Sequence, residues 1–516
     1  ACTLLPGLWI VAGASVAGVS FNTQLQEDLV RAEIIAIPIT LILLVVIFGG
    51  VVAAAVPVIV GALSVAGALT VLRIFTTFTE ISSFAVNVAS LLGLGLAIDY
   101  GLFIVSRFRE ELRSGATADE AARRTMLTAG RTIVFSGLLL ICAFAGMLVF
   151  PQAIIRSLGY GAMAAVGCAA LLSLTAVPAV LTLLGHRINA ITWSRTASDR
   201  GDARAHKFWG SVVTKVMRRP IAVATLIVVG LLIVASPLVK ATLGEVSYTA
   251  LPADDPARIA FETLSTDFRS TGDSATIVLD GDTARPDGPA INAVTTAARG
   301  VDGIENVQFG TASGDFVVID ASFSSGVSPE AQQGVVEQLR AIPAPDGTEL
   351  RVGGAAALVL DGNDAIVTWL PVMLTIMVVS TLILLFLAFG SVVLPVKAVA
   401  MAGLSMAATF GALTFIFQEG HGAGLLGVTP APLEATFVVL ILAVVFGLST
   451  DYEVFLMSRM VEARTAGATT EEAVLIGAQR TGRIVTAAAL ILIIVTGAFS
   501  LSGLSIMRFL GVGMIL

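Results

Sequence analysis

Ten apolar runs of spanning length mark the chain, at about 33–55, 56–76, 84–106, 132–150, 157–185, 220–239, 366–388, 393–417, 435–458 and 484–503, and an eleventh begins near 505. A helix needs about 20 apolar residues to cross a bilayer, so each run predicts a spanning helix. The first two form one stretch interrupted by Gly49, Gly50 and Pro57, the breakers of a tight helical hairpin at a membrane face. A second such break falls between Gly390 and Pro395. The long polar segment of about 240–360 alternates differently. It reads as a strand at Ser274–Asp280, a helix near 287–299, strands at Val301–Phe309 and Phe316–Phe323, a helix near 328–341 and a strand at Glu349–Val352. The order β-α-β-β-α-β predicts an α+β unit of ferredoxin-like type, a split βαβ sandwich.

Composition agrees with the runs. Charged residues are 13% of the 516, where a soluble domain carries roughly 25%, and mean hydropathy is +0.92. The chain is expected to be a polytopic α-helical membrane protein. Its net charge of −7 argues against nucleic acid as a partner. That charge is unevenly placed: Lys240–Leu360 holds seven basic and seventeen acidic residues, a balance of −10, which leaves +3 elsewhere. The segment 186–219 has eight Lys or Arg against two acids, and 107–131 has six arginines against four acids. Positive loops stay in the cytoplasm, so 240–360 is expected to face outward. Cys2, Cys142 and Cys168 cannot make a disulfide framework, and the latter two read as buried thiols. With no initiator Met at Ala1 and a last run of only about a dozen residues, the chain reads as cut at both ends.

The sequence also repeats itself. Val11–Ala14 matches Val352–Ala355 and Phe48-Gly49 matches Phe389-Gly390, both at an offset of 341. Beyond an insertion at Glu419–Val428 the offset is 352, and DYGLFIVSR (Asp99–Arg107) matches DYEVFLMSR (Asp451–Arg459). Gly115-Ala116-Thr117 matches Gly467-Ala468-Thr469, and Gly130-Arg131 matches Gly482-Arg483. Six spans separate the two starts, so the copies run parallel about an axis along the membrane normal, a transporter architecture.

Asp99 and Asp451 sit deep in their runs at equivalent positions. An Asp at the centre of a spanning helix costs roughly 2.5–3.5 kcal/mol on insertion scales, and such residues mark ion or proton pathways. Tyr100 and Tyr452 can hydrogen-bond a carboxylate across a helix interface. Gly95 and Gly447, four residues earlier, share the Asp face and permit close helix approach, while Phe103 and Phe455, four residues later, cover it from the other side. Ser136 on the next helix offers a hydroxyl, although its repeat counterpart is Ala488. The competing reading makes the Asp pair a structural staple and the glycines and phenylalanines plain packing. Thr117–Glu120 and Thr469–Glu472 fit capping boxes that open surface helices between spans. The histidines 186, 206 and 421 are isolated, and no nucleophile elbow, P-loop or metal-ligand spacing occurs. These points lead away from ATP, metal and cofactors other than protons, and toward the membrane gradient, which supplies roughly 2.3 kcal/mol per charge per 100 mV.

GLGLAIDYGLFIVSRFREE (Gly93–Glu111), VFGLSTDYEVFLMSRMVEAR (Val445–Arg464) and FLAFGSVVLPVKA (Phe386–Ala398) resemble the MmpL proteins of mycobacteria and related actinobacteria, within the RND superfamily. The likeness is closest to the branch that exports trehalose monomycolate. It implies a secondary active transporter, not an enzyme, of twelve inner-membrane helices with two outward porter domains, moving envelope lipids on the proton-motive force. Asp99, Tyr100, Asp451 and Tyr452 would form the proton relay, each Asp meeting the Tyr of the other repeat, with Phe103, Phe455 and Ser136 lining the central channel. The implied partners are a lipid or glycolipid and the bilayer, with accessory envelope proteins a further class.

On that frame residues 1–32 are a remnant of the first porter domain, its closing strand from about residue 8 and an exit helix. Residues 33–185 are five helices of the first repeat, 186–219 a cytoplasmic basic loop and 220–239 the helix opening the second repeat. Residues 240–360 are the second porter domain, and 361–516 four helices with part of a fifth. An RND relative with sterol, hopanoid or protein-secretion cargo shares this architecture. An intramembrane aspartyl protease also pairs two Asp, but its second Asp follows Gly, where Ile98 and Thr450 precede the acids here.

Overall fold

A computed structural model describes residues 14–191, 195–244, 250–267, 274–281, 288–314, 316–324 and 327–516. In chain order the helices are α1 (Ala14–Phe48), α2 (Val51–Phe75), α3 (Ser83–Arg113), α4 (Ala118–Thr125), α5 (Arg131–Ala145), α6 (Ala153–Leu184), α7 (Arg195–Arg218) and α8 (Pro220–Ala235). Next come α9 (Pro256–Asp267), strand β1 (Ser274–Asp280), α10 (Pro289–Arg299), β2 (Ile304–Ser313), β3 (Phe316–Phe323), α11 (Pro329–Arg340) and β4 (Glu349–Gly354). The chain continues through α12 (Ala355–Phe389), α13 (Val393–Leu413), the short α14 (Ala423–Leu426), α15 (Ala435–Thr465), α16 (Thr470–Gly497) and α17 (Ser505–Ile515). Ten helical stretches among the described residues are long and apolar enough to cross a membrane. The chain folds into two compact units, one from the chain up to Asn22 with Gly244–Thr368, the other from Thr23–Leu243 with Trp369–Leu516.

In the larger unit α3 and α15 are central. The most apolar window of α3 is buried at every position and that of α15 at 78%, whereas that of α8 is buried nowhere. The side chains of Ile221, Leu226 and Ile233 on α8 are exposed, as suits a surface bathed in lipid. Both central helices are bounded by chemistry written in the sequence. The Ser82 hydroxyl accepts from Phe84 N at the start of α3, and the Glu434 carboxylate accepts from Phe437 N at 2.6 Å at the start of α15. Both stop before a glycine in the left-handed region, Gly115 (φ 93°) and Gly467 (φ 99°), where a Cβ would be strained. Thr117 and Thr469 then open the next helices.

Several boundaries differ from expectation. α1 ends at Phe48 and the chain turns at Gly49-Gly50, so Pro57 lies inside α2. The T-x-x-E segments do not open separate surface helices. α16 runs unbroken from Thr470 through the span, and α4 joins α5 through a π-helical turn at Met126–Gly130. No proline intervenes, and Gly130 alone does not end a helix. Thr469 and Glu472 make the full reciprocal box, while the Glu120 carboxylate turns to Arg123 and Arg124. The basic segment 186–219 contains helix α7 rather than loop alone. The expected closing strand at the chain's start and the repeat match at Val11–Gly13 lie outside the described residues.

The smaller unit carries a four-stranded sheet in the order β2-β3-β1-β4, with every neighbour antiparallel. Alternation decides which face is buried: Ala275, Ile277 and Leu279 of β1 point inward with Val317, Ile319, Ala321 and Phe323 of β3. Ile277 pairs with Ile319 on one side and Val352 on the other. Against this face lie Ile291, Val294 and Ala298 of α10 and Val335, Val336 and Leu339 of α11, each set at helical spacing. Fully burying each large aliphatic side chain is worth roughly 1.5–3 kcal/mol, which accounts for a core without disulfides. Arg340 grips Asp361 through both carboxylate oxygens and donates to Val352 O, tying α11 to the start of α12. The β2 edge begins at Ile304, later than Val301, and is bulged at two places against β3.

Candidate functional site

Residues 99, 103 and 107 on α3 recur every fourth position, as do 451, 455 and 459 on α15, so each set lines one helix face. The two faces meet in a seam of three layers. In the first, Tyr452 Oη donates to Asp99 Oδ2 at 2.7 Å. In the second, the rings of Phe103 and Phe455 stack with centroids 3.7 Å apart and planes 13° from parallel. The third is ionic. Arg107 reaches Glu110 at 2.7 Å and Arg459 reaches Glu462 at 2.8 Å, with cross pairs Arg107–Glu462 at 3.5 Å and Arg459–Glu110 at 3.8 Å. Each cation thus serves an acid of its own helix and the equivalent acid of the other.

The Asp layer is asymmetric. Tyr100 Oη does not reach a carboxylate but lies 3.0 Å from Ser136 Oγ on α5. Tyr100 therefore meets a serine where the other half has a direct Tyr–Asp bond. The repeat itself supplies the cause, since the position equivalent to Ser136 is Ala488. Asp99, Asp451, Tyr100 and Ser136 are all buried. The Asp99 partner is a hydroxyl, and one oxygen of each carboxyl, Oδ1, has no protein hydrogen-bond partner. Charged carboxylates are costly in such surroundings without a cation beside them, so this layer is suited to groups that alternate between charged and neutral forms.

The two glycines behave differently. A Cβ at Gly447 would meet Leu140 Cδ2 of α5 at 2.6 Å, so that side chain would have to shift, whereas one at Gly95 would meet no heavy atom within 4 Å. Gly95 thus opens onto space beside the Asp layer rather than pressing helices together. Among the described residues no group of three or more His, Cys, Asp or Glu is placed to hold a metal.

Sequence reasoning passed over two polar contacts. Lys397 of α13 pairs with Glu453, directly after the Asp451-Tyr452 motif. At the repeat offsets these positions are Val56 and Gly101, and Gly101 lies close against Pro57, so comparing the copies hides the pair. The second is Asp28 of α1, which accepts from the Ser502 hydroxyl and from Gly503 N at 2.8 Å. Asp28 sits in the polar stretch Asn22–Glu33 that precedes the apolar run, so it does not stand out in the sequence as an intramembrane acid.

The spans, the paired Asp-Tyr layer and the α+β unit define a polytopic membrane protein with ionisable residues at its centre. The MMPL family model matches residues 7–223 and 249–515, and the chain belongs to that family. It is 40% identical to the trehalose monomycolate exporter MmpL3 of Mycolicibacterium smegmatis, over 98% of this chain and 54% of that protein. The MmpL3 of Mycobacterium tuberculosis H37Rv is 39% identical over 98% of the chain and 57% of its own length. The mycolic acid-containing lipids exporter MmpL11 of M. smegmatis is 32% identical over 97% and 54%. The chain spans about half the length of these relatives.

Proposed function

We propose that the chain is the greater part of the membrane engine of a lipid exporter, in which proton passage through the α3–α15 seam drives movement of envelope lipids such as trehalose mycolates. The observation that carries this reading is the bond from Tyr452 to the buried Asp99, with the buried Asp451 at the equivalent position of the other helix. A proton arriving at Asp99 changes that bond, because a carboxylate only accepts whereas a carboxylic acid also donates. Ser136 and Tyr100 can pass a proton toward Asp451 by hydroxyl rotation. The stacked Phe103 and Phe455 separate this layer from the Arg–Glu layer, and Gly95 leaves room beside it. Lipid cargo is supported by the relatives, which are exporters of trehalose monomycolate (MmpL3) and of mycolic acid-containing lipids (MmpL11).

The reciprocal Arg107–Glu462 and Arg459–Glu110 pairs support reading the two halves as parallel repeats. The strand order β2-β3-β1-β4 supports the ferredoxin-like reading of 240–360, which we assign as an extracytoplasmic porter domain from its acidic charge and the basic segment 186–219. The engine then sits in the inner membrane with α7 on the cytoplasmic side. The test is lipid export by the full-length protein in vesicles with an imposed pH gradient. Asp99→Asn and Asp451→Asn are each expected to abolish export while the protein still inserts, and unchanged export by either variant refutes the relay.

A further inference from the structure

Within the α3–α15 seam the stacked rings of Phe103 and Phe455 stand between the Asp layer and the Arg–Glu layer. A line of hydroxyls leads out of the Asp layer another way. Ser136, which faces Tyr100 at 3.0 Å, Thr132 and Thr128 recur every fourth residue along the helical stretch that α5 continues. Each threonine is turned back along that stretch by its own bond: Thr132 Oγ1 donates to Thr128 O at 3.2 Å, and Thr128 Oγ1 to Arg124 O at 3.0 Å. Ser136 and Thr132 are buried and Thr128 is partly exposed, so the line runs from the interior toward the surface. Thr125, in the turn beyond Thr128, is 1% exposed and its hydroxyl has no hydrogen-bond partner. The line ends where Arg124 meets the buried Glu111 of α3 at 3.6 Å.

The second copy keeps no hydroxyl along this line. At the repeat offset Arg124, Thr125, Thr128, Thr132 and Ser136 become Ile476, Gly477, Arg480, Ile484 and Ala488, and Glu111 becomes Ala463. The π-helical turn Met126–Gly130 has no counterpart in α16 either, which is continuous from Thr470 to Gly497, and turns of this kind are frequent at functional sites. Hydroxyls present in one repeat and replaced in the other are not required to pack the fold the two share. We propose that they are the proton's way out of the Asp layer toward the α7 side, an inference that rests on the proton relay through Asp99 and Asp451. Four residues advance a helix by about 6 Å, the length of two hydrogen bonds of about 2.8 Å, so one water fits between successive hydroxyls. A proton handed to a hydroxyl oxygen releases that group's own proton to the next water, and rotation of the O–H bonds resets the line. Only O–H bonds form and break, and the proton leaves to water beside Thr128 and Glu111.

The test measures proton flux by the full-length protein in proteoliposomes, with a trapped pH-sensitive dye and an imposed voltage, beside the thermal midpoint of each variant. Thr132→Val keeps the shape and removes the hydroxyl. It is expected to lower flux roughly tenfold, less than the about hundredfold contribution of a positioned acid or base because a second water can bridge the gap. Thr132→Ser returns the hydroxyl and is expected to recover most of the flux. Thr125→Val separates conduction from folding. Its hydroxyl bonds nothing, so the substitution removes a buried unpaired group and is expected to leave the midpoint unchanged or raised while flux falls several-fold. Asp99→Asn, measured alongside, reports on the relay itself. If Asp99→Asn abolishes flux while Thr132→Val and Thr125→Val both conduct like the parent, the α5 line is overturned and the relay stands. If Asp99→Asn conducts like the parent, the relay falls and the line with it.

Discussion

Ser136 offers the sharpest quantitative test of the seam. It and Tyr100 are fully buried, and their oxygens are 3.0 Å apart. Ser136→Ala leaves the Tyr100 hydroxyl without its partner in an apolar interior. Leaving a buried donor unpaired costs about 1–3 kcal/mol, and interhelical bonds in membranes average about 0.6 with a maximum near 1.7, so about 1–2 kcal/mol is expected here. Tyr100→Phe removes the same bond from the other end. If the bond is the interaction lost, the double variant is less destabilised than the sum of the singles, with a coupling energy of about 1 kcal/mol. Reversible unfolding in mixed micelles measures all four corners of that cycle. Singles that add to within about 0.3 kcal/mol would refute the contact as an energetic link. Ala488→Ser, at the repeat-equivalent position, has no such tyrosine contact to restore and is not expected to compensate.

Four further outcomes follow from the same geometry. Gly447→Val is expected to destabilise by about 1–3 kcal/mol through its clash with Leu140, while Gly95→Ala is tolerated or slightly stabilising, read by thermal unfolding in detergent. Asp28→Ala is expected to destabilise by about 1–3 kcal/mol, chiefly through the buried donor it abandons on Ser502, by the same measurement. Phe103→Ala and Phe455→Ala are expected to slow lipid export to a similar degree, since each removes one face of the same stack; vesicle export rates compare them. The hydrogen bond from Lys240 holds Glu419 below the usual carboxylate range, so its contribution is present above the unfolded value of about 4.3 and lost as pH falls through the lower folded value. Glu419→Gln should therefore alter the thermal midpoint equally at pH 6 and pH 8, and the difference from the parent should shrink on acidification.

The spanning runs and the Asp-Tyr pairs were legible because burial in lipid demands unbroken apolar sequence, and an acid within it stands out. The β-α-β-β-α-β order was legible from alternation, with β1 and β3 placed to the residue. Helix ends were less so. Polar residues such as Asn22, Gln24 and Glu27 belong to α1 even though they break its apolar run, and the T-x-x-E segments continue into spans because nothing stops them. The direct Tyr452–Asp99 bond is what the family resemblance implied, but Tyr100 meeting Ser136 is not, since it depends on one serine against one alanine in three dimensions.

The most direct test of the central claim is proton flux through the full-length protein, measured with a pH-sensitive dye trapped in proteoliposomes under an imposed voltage. The account predicts flux in the parent, loss in Asp99→Asn and in Asp451→Asn, and partial flux in Asp99→Glu, which keeps a titratable group opposite Tyr452. Parental flux in both Asn variants would contradict it.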